Sequence, residues 1–157
     1  MRKFFKVKRI NEDIKLPERS TRNSSGYDFF AIEDVEVPPY KFGDNPFMVA
    51  TGVKVKTEEN EFLMLVNRSS NPKKKKLIMP NSIGVIDADY FENPDNDGEM
   101  FFTFYNVSNE PVQIKKGEKL GQGIFMKYLK TDDDTANGER KRGVWFHRCL
   151  KNWNIKM

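Results

Sequence analysis

The spacing of short apolar runs constrains this chain more than any other feature. Phe4 to Ile10, Val35 to Val37, Met48 to Lys56, Glu61 to Asn67, Ile83 to Ile86, Met100 to Asn106, Val112 to Ile114 and Ile124 to Tyr128 each carry Val, Ile or Phe between turn residues. Runs of this length and composition predict strands. Several alternate, as in Gly52, Val53, Lys54, Val55, Lys56, which places the apolar side chains on one face of a strand. No segment sustains an amphipathic helical period, and Pro or Gly punctuates at Pro38, Pro39, Gly43, Pro46, Pro72, Pro80, Pro94, Gly98, Pro111, Gly117, Gly121 and Gly123. The expected fold class is all-β, a barrel or jelly roll, without internal repeats.

The 157 residues suit a single domain. No run approaches the length of a membrane helix, and the charged start Met1, Arg2, Lys3, Phe4, Phe5, Lys6 does not read as a signal peptide. A cytoplasmic protein without membrane contact is expected. One cysteine, Cys149, and one histidine, His147, cannot build an intrachain disulfide or a Cys/His zinc site. The net charge of +4 is concentrated at the end: residues 139–157 hold six basic residues and one acidic residue. That distribution argues against a nucleic-acid face on the domain itself.

Two stretches read as exposed loops. Lys73 to Lys76 suggests a solvated hairpin tip. Phe91 to Gly98 combines turn residues with Glu92, Asp95 and Asp97, carboxylates that lack calcium-loop spacing and are expected to be solvated.

Four polar clusters interrupt the strand pattern. Ile83, Gly84, Val85, Ile86, Asp87, Ala88, Asp89, Tyr90 puts a carboxylate directly after an apolar strand, costly to bury without a partner but suited to a general base. In a regular strand Asp87 and Asp89 share one face. Arg68, Ser69 and Ser70 offer bidentate and hydroxyl donors for oxyanions. Ser24, Ser25, Gly26, Tyr27, Asp28 is a small-residue turn leading into a lone carboxylate, and Lys116 to Gln122 reads as a charged turn before a strand. Singly, each has an ordinary structural explanation.

Together and in order, the four resemble the motifs of the trimeric dUTP diphosphatase family. That family's Ala-Gly-Tyr-Asp-Leu segment is similar to Ser25 to Phe29, and its Arg-Ser-Gly or Arg-Ser-Ser segment to Arg68 to Ser70. Its Asn-x-x-Gly-x-Ile-Asp-x-Asp-Tyr segment matches Asn81 to Tyr90 at every fixed position, and its Gly-Glu-Arg-Ile-Ala-Gln segment resembles Gly117 to Gln122. The resemblance implies a homotrimer of distorted jelly-roll barrels with shared active sites, hydrolysing dUTP to dUMP and pyrophosphate with Mg²⁺. It assigns Asp87 to activating the attacking water and Asp28 to orienting the metal through a coordinated water. Arg68, Ser69, Ser70, Gln122 and Arg140 would hold the phosphates. Asn81, Gly84, Ile86 and Tyr90 would form the nucleoside pocket, with Tyr90 under the sugar, excluding a 2′-hydroxyl.

Three departures accompany the match. The chain between Tyr90 and Gly98 is longer than the family's Tyr-x-Gly-Glu, and Asn71 to Pro80 carries four lysines in place of the usual glycine. The family's ending, Arg-x-x-Gly-Gly-Phe-Gly-Ser-Thr-Gly, is begun by Arg140, Lys141, Arg142, Gly143 and then abandoned at Val144 to Arg148. A barrel domain over residues 1–143 and an atypical tail over 144–157 are expected, the tail either divergent, with Trp145, Phe146 or no residue as lid, or the product of a frame slip near Gly143. Two rivals stand beside the diphosphatase: a non-catalytic dUTP-binding barrel, against which an intact Asp87 speaks, and a dCTP deaminase, which needs a glutamate base beside its Arg-Ser-Ser segment.

Overall fold

A computed structural model describes residues 1–140. The expected tail, from Val144 on, lies outside the described residues, as do Trp145, Phe146, His147 and Cys149. Among the described residues, eleven strands, β1 (Lys3–Lys6), β2 (Tyr27–Phe30), β3 (Val35–Val37), β4 (Phe47–Ala50), β5 (Val53–Lys56), β6 (Glu61–Asn67), β7 (Leu77–Ile78), β8 (Ile83–Asp87), β9 (Phe101–Asn106), β10 (Val112–Ile114) and β11 (Lys119–Lys127), make up the regular structure together with two single turns of helix. The strands pair antiparallel in four small sheets, ordered β1-β5, β10-β3, β2-β11-β6-β8 and β4-β9-β7. This is the expected all-β jelly-roll barrel. No helix among the described residues is long and apolar enough to cross a membrane.

Alternation decides which face goes inside. In β6, Leu63 and Leu65 are buried while Phe62, Met64 and Val66 point the other way. In β9, Phe102 and Phe104 are buried, and Phe102 meets Phe29 of β2, the two rings lying 5.6 Å apart edge to face. With Val37, Val49, Leu77, Ile114 and Leu120 they form one core. Truncating a ring such as Phe102 to alanine is expected to cost about 3–5 kcal/mol.

The strand expectations over Val35 to Val37, Glu61 to Asn67 and Val112 to Ile114 match the structure residue for residue. Met48 to Lys56 is instead two strands, broken at Thr51 and Gly52, where Gly52 takes a positive φ of 67°. Lys119 to Gln122, read with Lys116 to Glu118 as a charged turn before a strand, forms together with Gly123 the first half of β11. Its lysine and two glycines hide a strand whose Leu120 is buried and whose neighbours on both sides supply the pairing.

The Phe91 to Gly98 segment is a loop of turns with Glu92, Pro94 and Asp95 exposed, as expected, but Asn93 is buried and Asp97 is largely covered rather than solvated. Lys54, 5% exposed, sends its ammonium to Asp97 (2.9 Å) and Glu92 (3.0 Å), and the Lys8 backbone N–H donates to Asp97 at 2.8 Å. Phe91 packs on Phe5, ring to ring at 5.6 Å. Gly98, at φ 83°, is boxed in: a Cβ there would lie 2.8 Å from the Tyr90 carbonyl oxygen and 2.9 Å from the Glu92 nitrogen. Lys73 to Lys76 also differs from a hairpin tip. It falls within and just after a π-helical turn, Asn71–Lys75, with Lys75 paired to Glu118.

Candidate functional site

Two groups of the anticipated residues stand on one face of the β2-β11-β6-β8 sheet. Directly opposite residues of paired strands share a face. The row Asp28, Gln122, Val66, Ile83 crosses all four strands, and the row Met126, Phe62, Asp87 crosses three of them farther along. Three strand spacings across and four residues along place Asp28 and Asp87 at opposite corners, about 20 Å apart.

At the first corner Asp28 of β2 is held by two donors. Lys119 Nζ lies 2.6 Å from Oδ2 and Ser20 Oγ donates to the same oxygen at 2.5 Å. Burial pushes the Asp28 carboxyl up. The hydrogen bonds from Lys119 and Ser20 and the charges of Lys119 and Arg68 outweigh it and hold the pKa below the ordinary 3.8. Gln122 is the direct cross-strand neighbour of Asp28, and its side chain fills the space over Gly26, where a Cβ would meet Gln122 Oε1 at 2.0 Å. Arg68 leaves the end of β6 beside the irregular start of β11, since Asn67 pairs with Gly121 where the register shifts. Asn71 fixes that exit, donating to the Leu120 carbonyl at 2.7 Å and to Asn67 Oδ1 at 2.8 Å. Ser69 and Ser70 follow at the start of the π-helical turn, Ser69 exposed. Arg68, Ser69, Gln122 and Asp28 are thus brought together, with a cationic bias suited to phosphate oxygens.

At the second corner β8 ends at Asp87 and the chain turns through a 3₁₀ turn, Ala88–Tyr90. The regular-strand expectation for Asp87 and Asp89 therefore does not hold, yet both carboxylates meet one partner. Arg140 donates to Asp87 Oδ2 at 2.5 Å and to Asp89 Oδ1 at 2.7 Å, and its guanidinium stands 5.9 Å from the Tyr90 ring centre. Asp87 is 51% exposed, so it sits in reach of solvent and ligand. Tyr90 donates its hydroxyl to the Glu99 carbonyl at 3.0 Å, and burial, first among the influences, pushes the phenol above its ordinary value. Asn81 accepts a hydrogen bond from Thr103 at 3.3 Å. Thr103 and Glu99 are four residues apart, so Asn81 and Tyr90 are tethered to points no more than about 14 Å apart along one segment. Gly84 and Ile86 lie between them in β8 with partial exposure.

Between the corners lies an apolar face. Val85 is 54% exposed and Ile83 42%, and Met126 and Tyr128 are similarly open. Val85 pairs with Met64, which pairs with Ile124. The described residues contain no cluster of three His, Cys, Asp or Glu able to cage a metal ion. Sequence reasoning missed Ser20 and Lys119. Lys119 lay inside a quoted motif, but its pairing with Asp28 spans 91 positions and no local pattern announces it.

Comparison with known proteins gives one answer. The dUTPase family model matches residues 12–144. The deoxyuridine 5'-triphosphate nucleotidohydrolase of Lactococcus lactis is 43% identical over 132 residues, covering 84% of this chain and 85% of that protein. The protein of the same name from Hydrogenobaculum is 32% identical over 144 residues, covering 87% of this chain and 92% of that protein. The crystal structure of dUTPase from Streptococcus mutans superposes with a TM-score of 0.76 at 38% identity, over 82% of this chain and 98% of that one. The dUTPase of phage phi11 of S. aureus, at 20% identity and a TM-score of 0.67, shares the fold over 93% of this chain and 99% of its own. On this evidence the chain belongs to the dUTPase family.

Proposed function

We propose that this chain hydrolyses dUTP to dUMP and pyrophosphate in sites assembled between copies of itself, with Asp87 as the base that takes a proton from the attacking water. Hydrolysis of dUTP follows from family membership. The observation that carries the shared site is the separation of the two corners. Asp28 with its phosphate-binding neighbours and Asp87 with Tyr90 stand about 20 Å apart on one sheet face, too far to serve one reacting phosphorus from a single chain.

The apolar face between them supports self-association, because Ile83, Val85, Met126 and Tyr128 would leave water when a second copy covers them. A homotrimer gives each site the Asp28 corner of one copy and the Asp87 corner of another. In such a site Arg68, Ser69, Ser70 and Gln122 bind phosphate oxygens, and Asn81 with the backbone of Gly84 and Ile86 reads the base. Tyr90 packs under the sugar. Arg140 reaches a phosphate only once its pairs with Asp87 and Asp89 open, which also frees Asp87 to accept a proton.

A lone carboxylate among cationic groups suits Mg²⁺ held largely by substrate phosphates and water better than it suits a protein cage, so Asp28 is assigned to orient it. When bound, the ion would neutralise charge on the phosphates. Asp87 takes the water proton, water oxygen bonds to the α-phosphorus, and pyrophosphate leaves with the electron pair of the broken bond. The chain's remaining work is positioning and charge stabilisation.

Pyrophosphate release with Mg²⁺ tests this reading across dUTP, dCTP, dTTP and UTP, on the chain and on Asp87→Asn. Release from dUTP alone is expected, falling by about 10² to 10⁴ in the variant. Tight dUTP binding without release would favour the non-catalytic barrel instead.

A further inference from the structure

The Phe91 to Gly98 insertion ends in a side-chain network whose hub is Asn96. Its amide Nδ2 donates to Tyr90 Oη at 2.7 Å and to the Glu99 carbonyl at 3.0 Å. Its Oδ1 accepts from the Gly98 N–H at 3.1 Å and from Asn93 Nδ2 at 2.7 Å. Asn93, 5% exposed, donates to the Tyr90 carbonyl at 2.9 Å, while its own oxygen accepts from the backbone N–H groups of Asp95 and Asn96. Both amides therefore use donors and acceptors fully, and two of their donors go to the two ends of Tyr90. A satisfied polar network of this kind fixes one geometry.

Without Asn96, Tyr90 would keep one polar anchor for its hydroxyl among the described residues, the Glu99 carbonyl. Its hydroxyl hydrogen points to the Glu99 carbonyl, and Asn96 occupies a lone pair of the same oxygen, so the ring can neither swing about its bonds nor turn its hydroxyl toward a ligand. The insertion itself is tied down behind the network. Asp97 and Glu92 are clamped by buried Lys54, and Glu99 by Arg9 and the Gly52 N–H at 2.9 Å. Strand β5, through Lys54, is thereby connected through the insertion to the Tyr90 ring.

We propose that the insertion is a brace for sugar discrimination, with Asn96 as a positioning residue that sets the Tyr90 ring and so sharpens the preference for a 2′-deoxyribose over a ribose. The inference rests on the placement of Tyr90 under the sugar. A ring held in one position rejects an added hydroxyl by contact, whereas a ring free to yield admits it.

The test compares kcat/KM for dUTP and UTP in the full chain, in Asn96→Asp, in Tyr90→Ala, in Tyr90→Phe and in the double variant of Tyr90→Phe with Asn96→Asp. Aspartate keeps the oxygen that accepts from Gly98 and Asn93 but removes both amide donors, to Tyr90 Oη and to the Glu99 carbonyl. Asn96→Asp is expected to lower the dUTP:UTP ratio about tenfold, mainly through KM for UTP, and to have no further effect in the Tyr90→Phe background. A ratio unchanged in Asn96→Asp while Tyr90→Ala collapses it would overturn the role of Asn96 and leave Tyr90 in place. An equal fall in both backgrounds would overturn it too, showing a general loosening of the loop. A ratio unchanged in Tyr90→Ala would overturn the placement of Tyr90 and the proposal with it. Should Asn96→Asp not fold, Asn96→Ser removes the amide donors together with the oxygen that accepts from Gly98 and Asn93. An effect confined to the Tyr90 background, absent with Tyr90→Phe, again supports the proposal, while an equal fall in both overturns it.

Discussion

The two corners of the β2-β11-β6-β8 sheet are built by opposite means. The Asp28 corner is closed: β2 is an edge strand as well, but at Asp28 it pairs with β11 on one side and bridges Glu18 on the other, and the carboxylate is mostly covered, facing Lys119 and Ser20. The Asp87 corner ends an edge strand, is half exposed, and takes its shape from a 3₁₀ turn and the insertion behind it. Groups that hold phosphates and a cation need fixed charge, which a paired strand supplies. A base that must take a proton from water, beside a pocket that must admit a nucleoside, needs access, and an edge provides it. An edge strand with an apolar outer face is also an invitation to association, which a specific oligomer satisfies.

The sharpest way to break this comparison is to charge the face that separates the corners. Val85→Glu places a carboxylate in the middle of the apolar face, where a covered glutamate without a partner costs several kcal/mol. Assembly is expected to fail and activity to fall with it by more than about 10², while the single chain stays folded because Val85 is exposed in it. Light scattering and pyrophosphate release check this together; a monomer retaining full activity would refute the shared site.

A smaller effect separates the corners electrostatically. Because the folded pKa of Asp28 is depressed, the stability gained from its ionised form is present above the unfolded pKa and lost as pH falls through the folded value. Lys119→Met removes one hydrogen bond and one charge that hold the carboxyl down, leaving only Ser20 and Arg68 to oppose burial. The acid limit of stability and the acid limb of kcat/KM are then expected to move to higher pH, with the loss of kcat/KM largest on the acid side. A pH profile identical to the parent's would show that Lys119 does not set the charge of Asp28.

How much of this was legible in the sequence follows the same division. The strands with regular alternation, Val35–Val37, Glu61–Asn67 and Val112–Ile114, could be read directly because one face is core and the other is not. The first half of β11 could not, since glycines that allow close approach to Phe29 and Phe102 look like turn residues in one dimension. The motif residues were visible as chemistry, but their grouping was not. Asp28 and Lys119, or Lys54 and Asp97, meet only after strands far apart in sequence have paired. The carboxylates of the insertion looked solvated for that reason, although Asp97 and Glu92 balance a nearly buried lysine.

Complementation tests the central claim, that each site takes one corner from each of two copies, most directly. Asp28→Asn and Asp87→Asn chains are each expected to be nearly inactive alone. When the two are refolded together and mass spectrometry verifies mixed assemblies, a site that pairs the intact Asp28 of one chain with the intact Asp87 of the other should form. Pyrophosphate release from dUTP should then return to a substantial fraction of the parent rate. Mixed assemblies that stay as inactive as either variant would contradict the account.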